Sequence, residues 1–177
     1  VEMIYGGGGM DIIMGTDADN RLDFRETELR GVQHIEAGQG DDVVFGSAGD
    51  DVMLAGAGDD RFVGGAGNDT YVFGRGDGVD VIRDRDRTPN TDRLVFGDDI
   101  DIEQIWFRRV DDSLTVSVIG TGDQVTIENW FRGGRHQVEE FLAVDGQSLL
   151  NSQVDNLVNA MAAFSPPAAG QTVLPDD

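Results

Sequence analysis

Residues 37–72 read AGQGDDVVF, GSAGDDVML, AGAGDDRFV, GGAGNDTYV: four units of nine residues with no insertion between them. A small residue opens each unit. Gly holds the fourth place, Asp the sixth (Asp42, Asp51, Asp60, Asp69) and an apolar side chain the eighth (Val44, Met53, Phe62, Tyr71). A fixed short period of this kind marks a stacked architecture, in which one supersecondary unit repeats along an axis.

The first six places of a unit are too rich in Gly for helix or sheet, and Gly supplies the positive φ of a tight turn. The last three places are a minimal strand, with one side chain inward and its neighbours outward. Turn and strand in alternation give a flattened parallel coil with two nonapeptides per circuit. Stacking then sets the Asp of one unit above that of the next unit but one, about 4.8 Å away. Two such carboxylates repel by about 3 kcal/mol at an effective dielectric near 20. A row of them requires cations, and a cage of carboxylate and carbonyl oxygens suits calcium best.

The unit resembles the RTX nonapeptide G-G-x-G-x-D-x-U-x, a calcium-binding repeat of parallel β-rolls, and residues 64–72 match it at every defined place. The resemblance implies an ion between each turn and the next but one. That ion takes carbonyls 2 and 4 with the Asp of one turn, and carbonyls 1 and 3 with the Asp of the other. One ion would use Gly38, Gly40 and Asp42 with Ala55, Ala57 and Asp60. Its neighbour on the opposite edge would use Ser47, Gly49 and Asp51 with Gly64, Ala66 and Asp69. Gly56 and Gly58 would present carbonyls in the same way.

Composition agrees with this chemistry. The 177 residues carry 34 acids against 13 basic residues, a formal charge of −21, and every basic residue is Arg. That sign argues against nucleic acid and anionic membranes as partners. About five divalent ions would cancel half of the surplus, as metal-dependent folding would have it. With no Cys there are neither disulfides nor thiolate metal sites. No apolar run reaches the ~20 residues of a membrane span. No N-terminal signal peptide appears, and a chain opening on Val1 reads as a fragment.

Before the four units, residues 6–14 (GGGGMDIIM) match the nonapeptide again, with Asp11 in the acidic place and Ile13 inward. Residues 15–23 keep the phase but carry the uncharged Asn20 in place of Asp, with Leu22 inward, so an ion there would have to draw on Asp17, Asp19 or Asp23. Residues 24–36 break the period and read as a widened turn that returns through a strand near 32–35. His34 then lies on the flank of the roll rather than in a zinc site. After Val72 a two-residue insertion, Phe73 and Gly74, precedes RGDGVDVIR (75–83), which restores Gly76, Gly78, Asp80 and Ile82 in phase. Asp77 and Asp80 would close a last ion against 55–63 or against 64–72.

Residues 83–92 form a polar connector and the expected boundary. Beyond it, short strands are expected at 93–96, 124–127 and 137–144. Residues 104–110 and 113–119 form a hairpin around Asp111-Asp112. Trp106, Phe107, Trp130 and Phe131 suit a hydrophobic cap over the open strand edges at the end of the roll. Residues 151–164 carry Val154, Leu157, Val158 and Met161 at helical spacing, with Asn151 or Ser152 as N-cap. Pro166-Pro167 stops the helix, and 168–177 should be loose. DTYVFGRGDGVDVI, IEQIWFRRVDDSLTVSVIG, VTIENWF and NLVNAMAAF resemble the segment after the last repeat block in many RTX proteins. There, it implies a cap that precedes a C-terminal signal for type I secretion.

No catalytic motif is present: the sequence lacks H-E-x-x-H, G-x-S-x-G and a P-loop, and its two His, 34 and 136, lie far apart in sequence. The expectation is an all-β chain with first repeats and a widened turn (1–36), a calcium-bound parallel β-roll (37–83), an antiparallel β cap (84–150), and a helix and tail (151–177). It would be no enzyme but a secreted, monomeric module binding three to five calcium ions. It would fold on meeting extracellular calcium and support passage of a larger toxin, adhesin or enzyme through a type I secretion channel. The alternative is a calcium-dependent module that binds a glycan or cell surface.

Overall fold

The computed structural model describes residues 2–85, 89–164 and 170. In chain order the strands are β1 (Glu2–Tyr5), β2 (Ile12–Met14), β3 (Arg21–Asp23), β4 (Thr27–Arg30), β5 (His34–Gln39), β6 (Val43–Phe45), β7 (Val52–Ala57) and β8 (Arg61–Val63). There follow β9 (Thr70–Phe73), β10 (Val79–Ile82), β11 (Arg93–Phe96), β12 (Ile105–Val110), β13 (Ser113–Val118), β14 (Gln124–Ile127), β15 (Glu140–Leu142) and β16 (Ser148–Leu150). A single helix, α1 (Asn151–Met161), comes last. The chain winds alternately into two seven-stranded sheets, one ordered β12-β13-β14-β10-β8-β6-β3 and the other β16-β15-β11-β9-β7-β5-β2. This is the parallel β-roll expected from the period.

The eighth-place residues fill the space between the sheets. Val44, Met53, Phe62, Tyr71 and Ile82 are all buried, and Phe62 meets Tyr71 edge-on across the roll. Ile13 and Leu22, in the first coil, are only partly covered. The three-residue repeat strands bury the middle side chain and half-expose its neighbours, as alternation in a pleated strand requires.

The structure departs from the sequence reading in four places. Strands β5 and β7 run on into the glycine-rich part of the unit, where Gly38 pairs with Gly56 and Gln39 with Ala57. Two glycines with positive φ, 114° and 89°, stack in register, so turns that cannot form sheet singly do so in a pile. The widened turn holds a strand of its own, β4, which pairs in parallel with β1 apart from the roll. The roll also does not stop at the connector. β11 adds to β9 and β14 to β10, both in parallel, and β15 adds to β11 before β13 and β16 turn the sheets antiparallel. Helix α1 takes Leu150 as its N-cap, whose N–H donates to Gln153 Oε1, while the Asn151 side chain donates to Gln137 Oε1 (3.3 Å).

The cap carries the thickest core. Trp130, Phe107 and Phe141 are fully buried, and the Phe141 ring meets both of the others, with centroids 5.4 Å apart for Phe107–Phe141 and 5.7 Å for Trp130–Phe141. Val154 and Val158 of α1 close over them. The expected stop at Pro166-Pro167 and the loose segment 168–177 fall outside the described residues, Gly170 excepted.

Candidate metal centre

The glycine-rich turns stack along two edges of the roll, and the sixth-place Asp residues form a ladder on each. On one edge the backbone N–H of Asn20 donates to Asp42 Oδ1 (2.6 Å), that of Asp42 to Asp60 Oδ1 (2.7 Å) and that of Asp60 to Asp80 Oδ1 (2.9 Å). On the other edge Asp51 N–H donates to Asp69 Oδ1 (3.0 Å) and Asp69 N–H to Asp92 Oδ1 (2.7 Å). One oxygen of each lower carboxylate is thereby spent on the turn above. The other oxygens of Asp42, Asp60 and Asp80 are buried and accept no hydrogen bond.

The carbonyls of the turns face the same seams. A Cβ built on Gly56 or Gly58 would run into the carbonyl of Gly38 or Gly40, and one on Gly65 or Gly67 into that of Ser47 or Gly49. From the lower turn, the Gly64 carbonyl points up at Gly46, and the Ala57 carbonyl accepts the Gly40 N–H at 2.9 Å. In the Asp51/Asp69 seam a Cβ on Gly46 would meet both the Gly64 carbonyl and Asp51 Oδ2, so a main-chain oxygen of the lower turn lies beside a carboxylate of the upper one. Ala66 lies in the 64–69 turn of the Asp51/Asp69 seam.

The electrostatics demand a cation. Asp42, Asp60, Asp69, Asp80 and Asp92 are at most 1 % exposed. Burial, and after it the neighbouring acids, push the Asp60 carboxyl up to about 6 and the Asp80 carboxyl up to about 8; Asp42 and Asp51 are raised by burial as well. At neutral pH the Asp80 carboxyl is therefore mostly protonated unless positive charge is brought to it, and a cation would stabilise the ionised form of each of these buried acids. Among the described residues no three carboxylate or imidazole side chains converge on a common point. A resident ion would draw on two carboxylates and several carbonyls, an oxygen set that fits calcium.

Not every candidate finds a partner. The last turn on the first edge stacks under 55–60, since Val81 pairs with Arg61, and it is Asp80 that enters the ladder. Asp77 turns back to accept the N–H of its own loop's Gly74 (2.6 Å). Below Asp11 the register places Gln33, whose N–H reaches the Asp11 carbonyl (2.8 Å), so no second carboxylate comes to Asp11. Asn20 is engaged with Thr16, whose N–H donates to its Oδ1 at 3.1 Å. His34 lies on β5 with its ring 4.0 Å from Glu36, and His136 contacts the Asp84 carbonyl at 3.2 Å.

Two features escaped the sequence. Asp92 lies outside any recognisable nonapeptide, yet it completes the second ladder. A further ladder, exposed, uses the fifth place: Asp41 N–H donates to Asp19, Asp59 N–H to Asp41, and Asn68 N–H to Asp50. Its signal was visible as Asp41, Asp50, Asp59 and Asn68 at one place of each unit.

A parallel roll of nine-residue coils with buried aspartates along its turn seams is the architecture of a calcium-binding β-roll. Residues 4–23, 31–62 and 49–82 match the family model of the RTX calcium-binding nonapeptide repeat (4 copies), and residues 114–149 match the haemolysin-type calcium binding protein related domain. The chain thus carries RTX calcium-binding nonapeptide repeats, and these make it a calcium-binding module.

Proposed function

We propose that the ions lie in the turn seams: one among Gly38, Gly40, Asp42, Ala55, Ala57 and Asp60, one among Ser47, Gly49, Asp51, Gly64, Ala66 and Asp69, and one where Gly56, Gly58 and Asp60 face Asp80. Three to five ions bind each chain. The observation that carries this reading is the trio of buried, unbonded carboxylate oxygens on Asp42, Asp60 and Asp80. Calcium satisfies them and folding follows, so the chain stays unfolded where calcium is scarce and folds outside the cell. Such a monomeric module supports type I secretion of a larger toxin, adhesin or enzyme, and the segments around DTYVFGRGDGVDVI and NLVNAMAAF resemble those of adenylate cyclase toxins.

Anomalous scattering from crystals grown in calcium tests the sites. Peaks should lie between Asp42 and Asp60, between Asp60 and Asp80, and between Asp51 and Asp69. Density showing only water there would refute the assignment. For export, the chain should appear outside cells carrying a type I channel in calcium medium and accumulate poorly when calcium is chelated. Equal accumulation in both media would remove the export role.

A further inference from the structure

The seam between Asp69 and Asp92 is built differently from the others. Residues 89–92 stack under the 64–69 turn: Asp69 N–H donates to Asp92 Oδ1 (2.7 Å), and Arg93 N–H to the Asp69 carbonyl (2.8 Å). What differs is the fourth place of the lower turn. It holds Gly in 55–60 and 64–69 (Gly58, Gly67), but here it holds Asn90. The Asn90 side-chain nitrogen donates to the Gly67 carbonyl (2.6 Å) and to Asp92 Oδ2 (2.9 Å). Those acceptors are a fourth-place carbonyl of the upper turn and the second oxygen of the lower Asp. In the Asp42/Asp60 seam the equivalent atoms are the Gly40 carbonyl and Asp60 Oδ2, and Asp60 Oδ2 has no hydrogen bond.

We propose that the Asn90 amide stands in for calcium in this seam, closing the last coil of the roll without an ion. The inference rests on the calcium reading of the other seams. An amide N–H₂ offers two donors at one atom, so it can bridge two oxygens that a cation would otherwise draw together. A hydrogen bond to a carboxylate is among the stronger ones, about 1.5–3 kcal/mol, and it requires no metal.

The position gives the substitution a role. The same turn is bound to the cap: Asp92 N–H donates to Glu139 Oε2 (2.9 Å), and the Asp92 carbonyl accepts from Glu139 N–H (3.0 Å) and Glu140 N–H (3.1 Å). The amide therefore ties 64–69 to the cap whether or not calcium is present. The calcium-requiring seams then add to a coil already held in shape, and forming that first coil is the costly step in a linear stack. Asn90 is a metal-specificity residue of this seam and, through it, a positioning residue for the first coil.

The test is Asn90→Gly, which restores the Gly of the fourth place. Native mass spectrometry of the full chain at saturating calcium should count one more ion for the variant than for the wild type. Its folding midpoint should also need more calcium, by severalfold. An unchanged count overturns the proposal. Should the variant not fold, the wild-type anomalous map decides. Peaks at Asp42/Asp60 and Asp51/Asp69 with none at Asp92 support the surrogate. A peak within about 2.3–2.6 Å of Asp92 overturns it while leaving the calcium reading intact. A map without metal at any seam overturns both.

Discussion

The backbone N–H of Asp42 donates to Oδ1 of Asp60 at 2.7 Å, across eighteen residues of sequence. The contact sets the pitch of the roll, because each acidic side chain supports the turn above it. It also fixes where the second oxygen of Asp60 goes, which is into a buried seam lined by carbonyls. In the proposed sites, structure and ion binding would therefore be functions of one side chain.

Asp60→Ala separates them poorly, by design of the ladder. The substitution removes the acceptor for Asp42 N–H, an orphaned buried donor worth about 1–3 kcal/mol, and a ligand shared by the seams above and below. Calorimetric titration should show at least one ion fewer and a weaker affinity for those that remain. A full complement of ions at unchanged affinity would mean that Asp60 binds none.

Glycine is required where turns meet, not wherever φ is positive. Gly56→Ala places a Cβ against the Gly38 carbonyl at φ +89°, whereas Gly7→Ala, at φ +91°, meets nothing within 4 Å. The second should cost only the left-handed penalty of about 1–2 kcal/mol. The first adds a clash inside a calcium seam and should cost about 3 kcal/mol or more. Calcium-dependent thermal melts compare the two, and equal losses would show that the carbonyl contact is immaterial.

Without calcium, acid should favour the folded roll. Asp80, up at about 8, and Asp60, up at about 6, both lie above the ordinary carboxylate value in the folded state. Their protonated forms therefore favour folding below about pH 4, and that contribution is lost as pH rises through about 6 and about 8. In chelator, β content should grow as pH falls from 8 towards 5. With calcium present the trend reverses, since protons compete with the ion for the same oxygens. Ellipticity in chelator that does not respond to pH would contradict the burial of these acids.

A chain ending at Arg83 should fold badly. It lacks β11 and β14, the strands that cover β9 and β10, and it lacks the core of Trp130, Phe107 and Phe141. Its calcium midpoint should rise severalfold and its transition broaden. The same midpoint and steepness as the full chain would show that the cap does not start the stack.

The four repeats made the roll, its inward side chains and the two principal carboxylate pairs legible, because a period converts spacing directly into stacking. The two-residue insertion at Phe73-Gly74 was legible too, but its consequence was not. Only the register of Val81 on Arg61 shows that the turn carrying Asp80 stacks against 55–63 rather than 64–72. Asp92 and Asn90 were hidden for another reason. The sequence 87–92 keeps none of the glycines of the motif, and its described part, 89–92, follows the coil because its neighbours on both sides are already in place. The β1–β4 pair escaped for lack of any period at all.

Far-ultraviolet circular dichroism of the full chain, followed from chelator into millimolar calcium, tests the central claim most directly. At neutral pH the buried acid ladders repel one another without cations, so the spectrum should there be predominantly that of a disordered chain in chelator. It should turn to β in a steep, cooperative step at about 10⁻⁴–10⁻³ M calcium, and millimolar magnesium should not produce that step. A full β spectrum in chelator at neutral pH, or an equal response to magnesium, would contradict it.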